Sequence, residues 1–165
     1  MTYAVVYSSK TGNTAQLAQA IRSVLPEEAC LYYGEPGPQA LKADVIFVGF
    51  WTDKGTCDAA TAAFLSTLTG QKVFLFGTAG FGGDPAYFEK ILVAVGENLV
   101  PETEVVGQYM CQGRMPQGVR KRYEAMEDSP RRRMMLENFD RAASHPDEVD
   151  LENAKRMVRA LKLDG

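Results

Sequence analysis

The sequence predicts an α/β domain: a doubly wound five-stranded parallel sheet of order 2-1-3-4-5, with helices on both faces. Three observations predict it. Short β-branched and aromatic runs alternate with segments of helical period, as strands joined by crossover helices do. The clearest strand, 44–50 (Asp-Val-Ile-Phe-Val-Gly-Phe), is apolar on both faces, as a buried parallel strand must be. The first strand passes through a hydroxyl-rich bend into a helix, and in this strand order that bend borders the crevice where ligands bind.

Residues 3–7 (Tyr-Ala-Val-Val-Tyr) are too short for a helix and read as a buried strand. Residues 15–25 follow as a helix with Leu17, Ala20, Ile21, Val24 and Leu25 on one face. Pro26 and the acidic Glu27 and Glu28 turn the chain into a short edge strand over 29–33. Gly34, Pro36, Gly37 and Pro38 then interrupt regular structure. Beyond the central strand, 56–68 reads as a helix with Ala60, Ala63, Phe64 and Leu68 inward and Asp58 able to cap its start. Residues 72–77 form another buried strand. Residues 85–95 form a helix with proline in its first turn and Phe88, Ile91, Leu92 and Val95 inward. A last strand spans 104–111, and a terminal helix over 151–163 repeats at Leu151, Ala154, Val158 and Leu161 with Asp150 as its N-cap. The chain reads as one domain, 1–165, with a helical insertion at about 112–144 broken near Ser129 and Pro130.

Composition narrows the function. A length of 165 residues, 45% apolar, suits one globular domain with a substantial core. A net charge of −3 argues against nucleic acid as a partner. The N-terminus enters a strand at once, without the basic and apolar regions of a signal peptide. The longest apolar-plus-glycine run, 45–51, falls far short of a membrane span, so a cytoplasmic protein with no membrane partner is expected. Cys30, Cys57 and Cys111 are far apart and contain no C-x-x-C, which predicts reduced buried thiols rather than a redox dithiol, a zinc site or an iron–sulfur site. The sole histidine, His145, precedes Pro146 at a helix start, and no nucleophile–base set assembles around it. No catalytic side chain and no metal ligand is expected.

Three loops should meet at the carboxyl ends of the strands: 8–14, 51–58 and 78–84. The first offers Ser9, Lys10, Thr11, Gly12, Asn13 and Thr14. It lacks the G-x-x-x-x-G-K-[ST] string of a nucleotide P-loop and the G-x-G-x-x-G of a dinucleotide site. Hydroxyls, an amide and backbone N–H groups around one glycine can instead surround a terminal phosphate monoester, although the same residues would serve an ordinary strand-to-helix turn. The second loop holds the only tryptophan, Trp51, which can stack on a flat heterocycle or cover the core, followed by Thr52 and Gly55. The nearby Asp53 would disfavour a negatively charged reduced ring. In the third loop Thr78, Ala79, Gly80, Phe81, Gly82 and Gly83 bring backbone close to a ligand, with Phe81 as a second aromatic wall ahead of Tyr87. The competing reading is a flexible turn.

Ser-x-Thr-Gly-Asn-Thr at the end of a first strand resembles the phosphate loop of the flavodoxin family, and the resemblance covers nearly the whole chain except 112–144. It implies FMN as the cofactor, bound without a covalent link. It also implies a backbone flip at Gly55 that would meet the flavin N5 in reduced forms, and an aromatic from the third loop over the outer ring face. Phe81 departs from the usual Tyr or Trp there. Phe-Trp-Thr-Asp-Lys-Gly, Gly-Thr-Ala-Gly-Phe-Gly-Gly and Cys-Gln-Gly-Arg-Met-Pro are similar to a bacterial flavodoxin-like subfamily, rather than to the short electron carriers. Some members of it are similar to proteins accompanying bilirubin-reducing enzymes in gut bacteria.

The insertion carries eight Lys or Arg against five Asp or Glu, a net +3, so the remainder of the chain carries −6. Such a charge run is either a solvated helix face or a basic lip beside the crevice that steers an anionic partner. The expected function is electron transfer by an FMN-binding flavoprotein, monomeric or homodimeric, with a redox partner protein or a small-molecule electron acceptor. The alternatives are an FMN-dependent NAD(P)H:quinone or tetrapyrrole-type reductase and a binding module without flavin.

Overall fold

Strands β1 (Tyr3–Tyr7) and β3 (Val45–Asp53) run side by side at the centre of the computed structural model, which describes residues 1–82 and 84–162. With β2 (Cys30–Gly34), β5 (Lys72–Ala79) and β6 (Val105–Gln112) they form a parallel sheet of order β2-β1-β3-β5-β6. The five parallel strands stand in the expected order. The sixth, β4 (Thr56–Cys57), is an addition that pairs antiparallel with the end of β3. Lys54 (φ 52°) and Gly55 (φ 85°) make the two-residue left-handed turn between them. The second loop is therefore a paired hairpin rather than an open segment.

Alternation along the strands gives the sheet two cores. Val6, Val48, Phe50, Val73 and Leu75 face α2 (Ala59–Leu65) and α3 (Pro85–Gly96). Val5, Val45, Phe47, Phe74 and Phe76 face α1 (Asn13–Ser23) and α6 (Glu148–Arg159). Phe47, Phe50, Phe74 and Phe76 are wholly buried, each worth on the order of 1.5–3 kcal/mol in transfer from water. Between β6 and α6 lie α4 (Gln117–Glu124) and α5 (Pro130–Ala142), packed on one another, with Ser129 capping α5.

Several helix details differ from the sequence expectation. Helix α1 begins at Asn13 rather than Ala15, because left-handed Gly12 turns the chain directly into it, and Val24 and Leu25 lie beyond its end. Helix α2 begins only at Ala59, after β4. Ala60 and Ala63 are exposed while Thr61, Phe64 and Leu65 point inward, since alanine offers too little area to fix the helix rotation against Phe64 and Leu65. The cap of α6 is Asp147, not Asp150. Its carboxylate accepts from the Asp150 N–H at 2.9 Å, and the Asp150 carboxylate accepts from the Asp147 N–H at 2.9 Å. Two carboxylates one turn apart can each play the cap in sequence, and the chain direction after Pro146 selects the first. No helix among the described residues is long and apolar enough to cross a membrane.

Candidate functional site

The bend after β1 is pinned at its start, where the Ser8 N–H donates to Gly49 O at 3.0 Å. Gly12 (φ 88°) turns the chain into α1, a conformation that a side chain would strain. The Gln16 N–H returns to Gly12 O at 3.1 Å and the Ala15 N–H donates to Ser9 Oγ at 3.3 Å. Among the described residues nothing accepts from the N–H groups of Lys10, Thr11, Gly12, Asn13 and Thr14. Five unpaired donors at the positive end of an eleven-residue helix are an arrangement suited to an anion.

The side chains of this bend divide into two kinds. Thr14 is fully buried, and its hydroxyl donates to Phe50 O at 3.0 Å and meets Thr78 Oγ1 at 3.2 Å, tying α1 to β3 and β5. Its hydroxyl is thus spent inside the protein, which leaves the backbone N–H as its free donor. Asn13 Nδ2 donates to Arg114 O at 2.8 Å, while the buried Asn13 Oδ1 has no donor. Lys10 is exposed, its ammonium 4.9 Å from the centre of the Trp51 ring.

Trp51 is set by β3 and the hairpin. Its carbonyl accepts from the Asp58 N–H at 3.1 Å, and Asp58, itself buried, also accepts from Thr61 N–H and Thr61 Oγ1 at the start of α2. Thr52 Oγ1 donates to Thr78 O at 2.8 Å, so its proton is already committed.

The third loop is held by the end of β6 and by α5. Gln112 Nε2 and Asn138 Nδ2 both donate to Gly80 O, at 2.9 and 3.0 Å, and Asn138 Oδ1 accepts from Gln112. A Cβ on Gly80 would stand 2.6 Å from Met115 Cγ. The glycine at 80 thus admits the chain's own Met115, a second use of close approach beside the ligand contact that the sequence suggests.

These elements enclose a cleft of about 130 Å³ lined by Lys10, Thr11, Asn13, Trp51, Thr52, Thr78, Ala79, Gly80, Arg114, Met115 and Pro116. Eight of the expected residues line it. Ser9, Gly12, Thr14, Gly55 and Phe81 do not, though the first three build the bend beneath it. Gly55 stands in the turn between β3 and β4, Phe81 is 38% exposed, and Tyr87 packs against the core, so Met115 rather than either aromatic forms the wall beside Gly80. Gly83 lies outside the described residues. Asp53 is exposed and outside the lining, and the two charges at the cleft are the cations Lys10 and Arg114.

Arg114, Met115 and Pro116 are the residues that reasoning from loops alone missed as site residues. The available signal was their place directly after a strand's carboxyl end, the end that faces ligands in this topology. Arg114 Nη2 donates to Thr11 O at 2.9 Å, and its N–H donates to His145 O at 2.9 Å. All three cysteines are free; Cys57 and Cys111 are buried as the sequence suggests, whereas Cys30 is only half-buried. Burial pushes the Cys57 and Cys111 thiols up, with Asp150 adding to the shift at Cys111.

A doubly wound parallel sheet, with unpaired N–H groups, an indole and glycine backbone at its topological switch, defines a domain for a flat heterocycle carrying a phosphate. The comparisons agree. Residues 4–159 match the family model described as Flavodoxin domain, and the chain belongs to the flavodoxin family. It is 40% identical to the flavodoxin-like domain-containing protein BilS of Clostridium symbiosum, over 92% of this chain and 90% of that one. Among solved structures, a short-chain flavodoxin associated with a non-canonical PDU bacterial microcompartment matches with a TM-score of 0.57 at 18% identity, covering 98% of this chain and 97% of its own. A flavoprotein from Lactobacillus acidophilus in complex with FMN matches with a TM-score of 0.51 at 13% identity, covering 66% of this chain and 92% of that one.

FMN is the cofactor of this family and of this domain. The residues present fit it. The five free N–H groups suit its phosphate, the orphaned Asn13 Oδ1 suits a donating hydroxyl of its ribityl chain, and Trp51 suits its ring.

Proposed function

We propose that the protein is an electron carrier, taking electrons from a reductant and passing them to a redox partner protein. The observation that supports this reading is the chemistry of the cleft. Hydroxyls, an amide, backbone, an indole, a thioether and two cations line it, and no carboxylate or imidazole does. Such a set is suited to binding and orienting a ligand, and it lacks the carboxylate or imidazole that most often serves as general acid or base. Bound FMN supplies one- and two-electron chemistry. The Thr14–Thr78–Phe50 bonds and the Asp58 anchor on Trp51 fix the groups that would hold it.

A second reading has one observation in its favour: Arg114, Met115 and Pro116, from beyond β6, wall the cleft as a substrate pocket would require. That reading is an FMN-dependent NAD(P)H:quinone or tetrapyrrole-type reductase. Titration with FMN, followed by quenching of the single tryptophan, tests cofactor binding directly. Steady-state NADPH consumption by the purified FMN-loaded protein, with and without a quinone, then separates the two. A carrier turns over negligibly alone, and sustained turnover would replace it with the reductase.

A further inference from the structure

We propose that Arg114 is the phosphate-binding cation of the cleft and the residue that selects a phosphorylated flavin over an unphosphorylated one. The inference rests on the flavin reading above and names a residue outside the first-strand loop for the anionic end of the ligand.

The placement is nonlocal and doubly anchored. The Arg114 carbonyl accepts from Asn13 Nδ2 at 2.8 Å, and its N–H donates to His145 O at 2.9 Å, so its backbone is held against the bend. From there the guanidinium reaches Thr11 O with Nη2 at 2.9 Å and comes within 3.5 Å of where a Cβ would stand on Gly12. It is therefore beside the five unpaired N–H groups of 10–14. Among the described residues no carboxylate pairs with it, so its charge is available to a ligand. One Nη2 bond to a carbonyl leaves most of its five donors free in the fork geometry that matches a phosphate.

A second, independent observation says what kind of anion belongs there. Asn13 is 6% exposed, lines the cleft, and its Oδ1 has no donor. A ligand that brings hydroxyl donors along with its charge would supply the donor that Asn13 Oδ1 lacks. Inorganic phosphate at neutral pH lacks a chain of them, whereas a polyol phosphate has both. The ligand class is thus a sugar-alcohol phosphate monoester attached to the ring held by Trp51. Lys10, its ammonium over the indole, is the second cation of the cleft but sits toward the ring end.

The test compares FMN with riboflavin, which carries the same ring and ribityl chain without the phosphate. Tryptophan quenching gives both affinities for the wild type, Arg114→Gln and Arg114→Lys, with melting temperatures of the ligand-free proteins alongside. Loss of a charge-assisted contact should weaken FMN about tenfold or more in Arg114→Gln and leave riboflavin within about twofold. Arg114→Lys should restore part of the FMN preference, and raised salt should erode that preference in the wild type. Equal weakening of both ligands would overturn the proposal and make Arg114 a support for Thr11 alone. Unchanged affinities would overturn it as well. A wild type that binds neither ligand would sink the flavin reading itself, an outcome distinct from failure of the arginine assignment.

Discussion

The cleft has two walls built in opposite ways. The bend of 8–14 is assembled locally: strand, turn and helix follow within a dozen residues, and its unpaired N–H groups follow from where α1 starts. The wall of 112–116 is assembled across the chain, through Asn13 to Arg114 O, Gly113 N–H to Ala79 O and Arg114 N–H to His145 O. The first wall owes its chemistry to backbone, the second to side chains and to the small residues that let them approach. A local wall tolerates change in its side chains, whereas a nonlocal one depends on fit.

The largest expected effect is therefore at Gly113, on the nonlocal wall. A Cβ there would stand 2.4 Å from Asn13 Nδ2, in buried surroundings, so Gly113→Ala should cost about 1–3 kcal/mol of stability as overpacking and also weaken FMN. Urea unfolding checks it, and an unchanged midpoint would mean the two walls are not tightly fitted. Next comes the ring: Trp51→Ala should weaken FMN by about 1–3 kcal/mol, the usual scale of stacking on an aromatic, as read from flavin absorbance. An unchanged affinity would return Trp51 to the core.

A smaller effect sharpens the contrast within the bend. Thr14→Val keeps the N–H and removes the buried hydroxyl bonds, so it should cost about 1 kcal/mol of stability and leave FMN affinity within about twofold. A large affinity loss would make the Thr14 hydroxyl a ligand after all.

The smallest effect lies at Asp147. Its carboxyl is held below the usual range, first by the Asp150 N–H, and it caps α6 next to the His145 carbonyl that fixes Arg114. A folded-state pKa below the unfolded value gives stability that is present above the ordinary carboxylate pKa and lost as pH falls through the folded one. Melting temperature between pH 5 and 2.5 should fall less steeply in Asp147→Asn than in the wild type. Parallel curves would remove the cap from this account.

The bend shows how much local order the residues carry by themselves. A short apolar strand, Gly12 and the helical period after it suffice to predict where backbone N–H groups converge, because those signals span a few residues. The bend is also tied to distant Gly49, Phe50 and Thr78. The parallel order of the five strands was legible for the same reason, since alternating periods leave few topologies. The rotation of α2 was not, because Ala60 and Ala63 differ too little from their neighbours in area to decide which face is buried. Nor was the division of labour within Ser9–Thr14, where hydroxyls that look alike in sequence are either spent on β3 and β5 or free to meet a ligand.

By itself, then, the chain determined its sheet, the crevice and the unpaired N–H groups at the start of α1, all signalled by periodicity and short-range turns. Only the tertiary structure decided that Met115 rather than Phe81 walls the cleft, that Gly80 makes room for it, and that Arg114 arrives over Thr11. Those contacts join residues 32 to 103 positions apart, and their partners are chosen by packing, which no local pattern records.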